Sequence, residues 1–329
     1  MDKIVIFGAT GNIGAYFVDY CNTYLGNNYE IIAVGRKSTE FFNKRGIKYL
    51  QVDLNNPNDF KILPRDNIYA VVNLAGLLPA YLKEYNPFDY VETNINGALR
   101  ILEYARTCGA DRILYTQTWS VQGGYWGKRD ILSPKEPRSL IYKGDHAFYC
   151  ITKSMVEDTL EHYHQEYGIK NFVFRLPNVY LYNPEKYYYV DGKKKYVGYR
   201  RIIDLASRGE DIEIWGDPNA FKDVLYIKDL CQLMYKALLS DIDGGTYNAG
   251  TGIKTTLREQ IEGIVDVFSN KNTRSKIISK PEYPGFTSFV MDISNAISEL
   301  GYTPEYSYRR YLEDYKLEQE LKRFDELWK

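Results

Sequence analysis

Tyr149 and Lys153 stand four residues apart in Tyr149-Cys-Ile-Thr-Lys153, inside a segment whose apolar spacing predicts a helix over Phe148–Tyr167. That spacing puts both side chains on one helix face. A phenol ordinarily titrates at about 10, too high for easy deprotonation near neutrality. A neighbouring ammonium stabilises the phenolate and lowers that value. The pair could therefore give and take a proton. The chain holds 32 tyrosines, so the same spacing also describes an exposed helical pair.

A second constellation lies at the N-terminus. Gly8-Ala-Thr10-Gly11-Asn12-Ile13-Gly14 follows the apolar run Lys3–Phe7 and opens a helical pattern over Gly14–Leu25. A glycine turn between strand and helix lets backbone N–H groups approach a pyrophosphate, and the helix N-terminus favours its charge. The spacing is GxxGxxG rather than GxGxxG. Its position at the first strand–helix junction is what carries the reading. A second strand ends in Gly35-Arg36-Lys37-Ser38. No carboxylate is there to accept from a ribose 2′-OH, whereas two cations could attract a 2′-phosphate, which favours NADP(H) over NAD(H). Arg36 stacked on adenine would suit either cofactor. Asp53, with Leu54, is placed to meet the adenine amino group, and Leu74-Ala75-Gly76 to pass beside the nicotinamide ribose. Pro177 completes the expected cofactor-binding set, which Lys153 shares.

A third signal is the hydroxyl pair Thr118 and Ser120, just beyond the run Arg112–Thr116. A hydroxyl at the carboxyl end of that strand would lie beside the tyrosine and could bond a reacting oxygen.

These residues need a scaffold. Candidate strands are Lys3–Phe7, Glu30–Val34, Lys48–Val52, Ala70–Leu74, Arg112–Thr116 and Phe172–Leu176, with helical patterns between them at Gly14–Leu25, Tyr90–Cys108 and Phe148–Tyr167. Such alternation predicts an α/β doubly wound parallel sheet of the Rossmann type. A smaller C-terminal α/β substrate domain is expected beside it. The expected division is 1–180 for the dinucleotide domain, with 221–245 returning to it, and 181–220 plus 246–329 for substrate. Tyr182–Arg201 is aromatic and basic without a clean period, and reads as a solvated loop or a substrate lid. Short strands are expected at Asp211–Trp215, Val224–Tyr226 and Thr246–Ala249, and a charged helix from Tyr308.

Composition narrows the class. The 329 residues are 44% hydrophobic with a formal net charge of −1, so the whole chain calls for neither nucleic acid nor a membrane. Four cysteines without a CxxC pair suggest neither disulfides nor zinc. MDKIVIF begins a strand at once, which predicts a cytoplasmic protein. His162 and His164 point to different helix faces, so no metal site is expected. His146 reads as a loop histidine or a substrate contact, and Cys150 as packing.

In order, GATGNIG, the Asn73-Leu-Ala-Gly76 strand end, Thr93-Asn94-Ile-Asn96-Gly97, the hydroxyl-bearing strand end, YCITK and Arg175-Leu-Pro-Asn178-Val-Tyr180 resemble the extended short-chain dehydrogenases. More narrowly they resemble the NAD-dependent epimerase/dehydratase enzymes that act on nucleotide sugars. Lys222-Asp223-Val-Leu-Tyr226-Ile-Lys-Asp229, Tyr247-Asn-Ala-Gly-Thr-Gly252 and Asp292-Ile-Ser-Asn-Ala-Ile-Ser-Glu-Leu-Gly301-Tyr-Thr-Pro304 extend the likeness to roughly residue 310. The resemblance implies Tyr149 as acid/base, Lys153 as its partner and Thr118 as the aligned hydroxyl. It implies Ser120, Asn178, Lys222 and Tyr149 at the substrate. It also implies a homodimer through Tyr90–Cys108 and Phe148–Tyr167.

Two departures qualify what it implies. Trp119-Ser120 stand where dehydratases of the family carry Asp-Glu, so dehydration is not expected. Lys222 replaces an arginine, and Glu282-Tyr-Pro-Gly-Phe-Thr lacks a second one; the clusters at Lys193–Arg201 could compensate. The expectation is hydride transfer at C4 of a nucleotide-activated sugar, ending in epimerisation. NADPH-dependent reduction of a keto-sugar or a non-sugar carbonyl uses the same residues. A silent dinucleotide-sensing interaction protein is the remaining alternative.

Overall fold

The computed structural model describes residues 1–144, 146–269 and 273–328. Seven strands form its main sheet: β1 (Asp2–Phe7), β2 (Tyr29–Gly35), β3 (Lys48–Gln51), β4 (Ile68–Asn73), β5 (Arg112–Thr118), β6 (Lys170–Leu176) and β7 (Gly244–Asn248). Their order is β7-β6-β5-β4-β1-β2-β3, and every pairing is parallel. Unbroken apolar runs such as Ile4-Val5-Ile6-Phe7, each at most 1% exposed, are what a sheet covered on both faces requires. The strand order reverses between β1 and β4, and a doubly wound sheet opens its ligand crevice there.

Five helices matter to the crevice: α1 (Asn12–Leu25), α2 (Gly97–Thr107), α3 (His146–Tyr167), α4 (Ile227–Leu238) and α5 (Tyr308–Leu321). The helix expected over Tyr90–Cys108 is not uniform. A short helix, Pro87–Tyr90, passes into a π-helical turn, Val91–Asn96, before α2 begins. The wider turn carries the buried Asn94, whose amide donates to the carbonyl of Leu77 (3.1 Å) and to Thr152 Oγ1 (3.3 Å).

Tyr182–Arg201 is no irregular loop. Tyr187–Val190 and Lys193–Tyr196 pair as an antiparallel hairpin around Asp191-Gly192, and a helix starts at Gly198. Both turn residues have positive φ, 48° and 72°, the geometry of a two-residue hairpin turn. The boundary expected at 245/246 falls inside β7, which lies on the edge of the main sheet. No helix among the described residues is long and apolar enough to cross a membrane.

The C-terminal segment returns to the first half of the chain. Glu318 on α5, 2% exposed, accepts two bonds from the Arg323 guanidinium, and Arg323 also pairs with Asp19 of α1 at 2.7 Å. Lys228 of α4 joins Glu318 (3.1 Å) to Asp314 (2.7 Å). This ion chain binds α5 across α1 and α4.

Candidate active site

Backbone geometry forces the glycines of the first turn. Gly8 has φ of 81°, and a Cβ there would lie 2.7 Å from the backbone of Leu74 and Ala75. A Cβ on Gly14 would lie 2.1 Å from the carbonyl oxygen of Gly8. The end of β1 and the end of β4 are thereby held together, with Leu74 N–H donating to the carbonyl of Phe7 (3.0 Å). Asn73 turns its side chain back to accept from Ala75 N–H (3.1 Å). No side chain caps the N-terminus of α1 at Gly11, which leaves its first N–H groups available to an anion. Thr10 packs beneath Gly35, where a Cβ would lie 2.8 Å from the threonine methyl. Ile13 packs against the main core.

This cradle fits the diphosphate of a dinucleotide. Asn12 is already engaged, donating to the hydroxyl of Tyr81 (2.8 Å) and accepting from Asn183. Beyond β3, Asp53 Oδ1 accepts from Asn55 N–H (3.0 Å), and Leu54 lies so near Gly97 that a Cβ there would stand 3.0 Å from the leucine Cβ. The two cations after β2 differ in their bonding. Lys37 Nζ donates to the carbonyl of Leu327 (3.1 Å), because the C-terminal turn folds over this loop, while Arg36 is exposed. Lys37 thus spends one of its three donors on the chain itself, and both cations remain exposed.

The expected acid/base pair is brought inward. Tyr149 and Lys153 on α3 are 9% and 5% exposed. Lys153 Nζ lies 4.0 Å from the centroid of the Tyr115 ring on β5. Among the described residues no side chain accepts a hydrogen bond from that ammonium. Burial drives Lys153 down to about 7, opposed by the charge of Glu157. Burial also pushes the Tyr149 phenol up, with Cys150 and Tyr90 adding to the rise. The lowering of the phenol expected from Lys153 is not seen in this arrangement, where burial sets the direction. Around Tyr149 stand Tyr90, at a centroid distance of 6.5 Å, and His146, whose ring meets it edge-on at 6.3 Å.

Thr118 ends β5 and its Oγ1 accepts from Ser120 N–H (3.2 Å), leaving the hydroxyl proton free to donate outward. Ser120 is 8% exposed and more enclosed than Thr118. Trp119, between them, was not foreseen as part of the site. Its ring is stacked between Trp126 (4.4 Å) and Phe289 (4.0 Å). The same C-terminal stretch supplies Phe286, whose ring lies 3.9 Å beneath Lys222 Nζ, and Tyr283, 5.0 Å from exposed Trp215. The stretch from Tyr283 to Phe289 thus meets the end of β5, Lys222 and Trp215 through its aromatic rings. Phe289 lies 170 residues from Trp119, and no local pattern could have announced that contact.

Other expected residues sort differently. Pro177 is buried and Asn178 exposed just past β6. Burial lowers the Lys222 ammonium. Asp223 beside it is a staple: it accepts from Thr251 N–H (2.7 Å), Gly252 N–H (3.1 Å) and Met291 N–H (3.1 Å). Arg200 cannot replace a phosphate-binding arginine, since its guanidinium is spent on the carbonyls of Leu181, Asn183 and Glu185. His164 Nδ1 bonds the carbonyl of Ile169 (3.0 Å), and no metal-binding cluster occurs among the described residues.

The doubly wound sheet and the glycine cradle at its switch point define a dinucleotide-fold protein. Residues 4–250 match the NAD dependent epimerase/dehydratase family, and the chain belongs to it. It is 26% identical to a putative UDP-glucose 4-epimerase of Methanocaldococcus jannaschii, over 92% of this chain and 93% of that one. It is 21% identical to a mouse dTDP-D-glucose 4,6-dehydratase, over 85% and 77% respectively. Its fold matches a UDP-glucose 4-epimerase structure from Thermotoga maritima, with a TM-score of 0.77 and 23% identity, covering 96% of this chain and 99% of that one.

Proposed function

We propose that this chain is a nicotinamide-dependent epimerase of a nucleotide-activated sugar, acting at the sugar C4 with Tyr149 as acid/base. The observation that carries the reading is that Tyr149 and Lys153 are both buried on α3, Lys153 over the Tyr115 ring of β5 and Tyr149 packed with Val121, three residues past Thr118. The family match and the epimerases among its relatives support it.

Gly8, Thr10, Gly11, Asn12, Ile13 and Gly14 would hold the pyrophosphate, Arg36, Asp53 and Leu54 the adenosine, and Leu74, Ala75, Gly76, Lys153 and Pro177 the nicotinamide half. A bound nicotinamide would supply a reversible hydride acceptor. Tyr149 takes the proton of the sugar hydroxyl as the C–H bond opens and gives it back to the ketone. Lys153, in its charged form, stabilises the phenolate. Thr118 donates to the same sugar oxygen. A positioned acid/base of this kind contributes on the order of 10²–10⁴-fold. Ser120 and Asn178 bind the substrate, and Lys222 meets the diphosphate. The stack Trp119–Phe289 gives the sugar an apolar wall where a dehydratase needs acids, which favours epimerisation over dehydration. The substrate is taken by 181–220 and 246–329 against the dinucleotide domain of 1–180.

Arg36 and Lys37 would attract a 2′-phosphate, so NADP(H) is favoured and is tested ahead of NAD(H). Retention of the cofactor between half-reactions gives an epimerase, and its exchange gives a reductase. The test is denaturing extraction with mass spectrometry, then thermal shifts with NAD, NADP and a panel of nucleotide sugars. A dinucleotide response with a further shift from one nucleotide sugar supports the proposal. Stabilisation by NADPH with no response to any nucleotide sugar points to a reductase of another carbonyl. A Tyr149→Phe variant with unchanged biological activity revives the silent dinucleotide-sensing interaction protein.

The protein is proposed to work in the cytoplasm as a homodimer. The outward face of α3 carries exposed Ile151 (39%) and Met155 (46%), which a second copy would cover. Sedimentation velocity distinguishes the dimer from a monomer.

A further inference from the structure

Gln117, the penultimate residue of β5, is 1% exposed and bonds in three directions. Its amide donates to the carbonyl of Lys153 (3.0 Å) and to Glu157 Oε2 (2.8 Å). Its own oxygen accepts from Thr118 N–H (2.9 Å). One side chain therefore joins the hydroxyl-bearing strand end, the turn of α3 that carries Lys153, and a carboxylate one turn further on. Lys153 and Glu157 are four residues apart, so they share a helix face.

We propose that Glu157, acting with Gln117, is a positioning residue that sets both the place of Lys153 and its charge. The inference rests on reading Lys153 as the partner of Tyr149. Gln117 holds the backbone of Lys153 against β5, and Glu157 holds Gln117. The same carboxylate is the nearby anion that opposes the loss of charge imposed on the lysine by burial.

The groups around the pair are few. Tyr149 on α3 and Tyr115 on β5 border Lys153. Arg175 of β6 faces Glu157 at 3.4 Å, and Arg138, from the segment before α3, faces it at 3.7 Å. Arg138 also bonds Asp158 and the carbonyl of Ser154 (2.7 Å). The two arginines partly screen the carboxylate from the lysine. Removing the carboxylate and removing an arginine must therefore move Lys153 in opposite directions. A residue that merely packs would move it in neither.

The measurement is the titration midpoint of Lys153 in the full chain without added ligand. Carbon NMR of protein carrying labelled lysine Cε reports it, and the resonance is identified by its loss in Lys153→Arg. Glu157→Gln is expected to lower the midpoint by about one pH unit, since an anion is lost beside an ammonium. Arg138→Met is expected to raise it. Both movements together support the proposal, and any other pair of results overturns it. Should Glu157→Gln fail to fold, Arg138→Met decides alone: a rise supports the coupling and an unmoved or lowered midpoint removes it. This titration needs no substrate and no turnover. A failed coupling leaves Tyr149 as acid/base untouched, and a failed catalytic assignment leaves the titration readable.

Discussion

Trp119 lies against Phe289 with ring centroids 4.0 Å apart and an interplanar angle of 26°. One ring follows β5 of the dinucleotide sheet, and the other comes from the C-terminal part of the chain. Trp119→Ala and Phe289→Ala are each expected to cost roughly 2–4 kcal/mol in urea denaturation. The double variant should cost less than the sum by about 0.5–1.5 kcal/mol, the coupling typical of an aromatic pair. Strict additivity would show that the stack contributes nothing of its own.

Gly14 offers a sharp test of the cradle, because a Cβ there would sit 2.1 Å from the Gly8 carbonyl. Gly14→Ala must push the first turn of α1 away from β1. The variant is expected to lose the thermal shift given by NAD or NADP and to melt lower than the parent. Gly46→Ala is a control for the other half of the effect: Gly46 has φ of 72° but open space around it. It should lose about 1 kcal/mol of stability and keep the dinucleotide response.

Lys153 makes stability depend on pH in a defined window. Its folded value, about 7, lies below its ordinary 10.5, so between those values the unfolded chain holds a proton that the folded chain does not. Stability then rises with pH across that window. The burden of the buried ammonium is fully present below about pH 7 and fades towards about 10.5. Lys153→Met is expected to be more stable than the parent at pH 6, with the gain shrinking as pH rises. Chemical denaturation of both proteins at several pH values measures the difference.

Glu318 is held by Lys228 and Arg323 with only 3% of its side chain exposed, whereas the Arg309–Glu313 pair on α5 is mostly exposed. Removing one partner from a buried network strands the others. Glu318→Ala is expected to cost about 3 kcal/mol or more, and Glu313→Ala less than about 1 kcal/mol. Comparable losses in the two variants would mean that the ion chain does not hold the C-terminal helix in place.

Much of the dinucleotide half was legible in the sequence. The expected strands match β1 to β6 to within about two residues; for β1, β2 and β4 the reason is that strands buried on both faces advertise themselves by composition, whereas the edge strand β3 is KYLQ and only half buried. The hairpin around Asp191-Gly192 was missed although its signal was present. An Asp-Gly pair between two strand-forming runs is a turn signature, and the runs YYY and KKK hid it by masking any period. The π turn at Val91–Asn96 has no period of its own and could not be read locally. The capture of Lys37 by Leu327, the Trp119–Phe289 stack and the Gln117–Glu157 link each join residues far apart or buried by packing, and only the folded chain brings them together.

The most direct test is Tyr149→Phe, assayed with the dinucleotide and the nucleotide sugar to which the parent responds. Formation of the C4 epimer is followed by NMR, and binding of both ligands by thermal shift. The variant is expected to bind both as the parent does and to turn over about 10²–10⁴-fold more slowly. A Tyr149→Phe protein that epimerises at the parent's rate would contradict the assignment of Tyr149 as the acid/base.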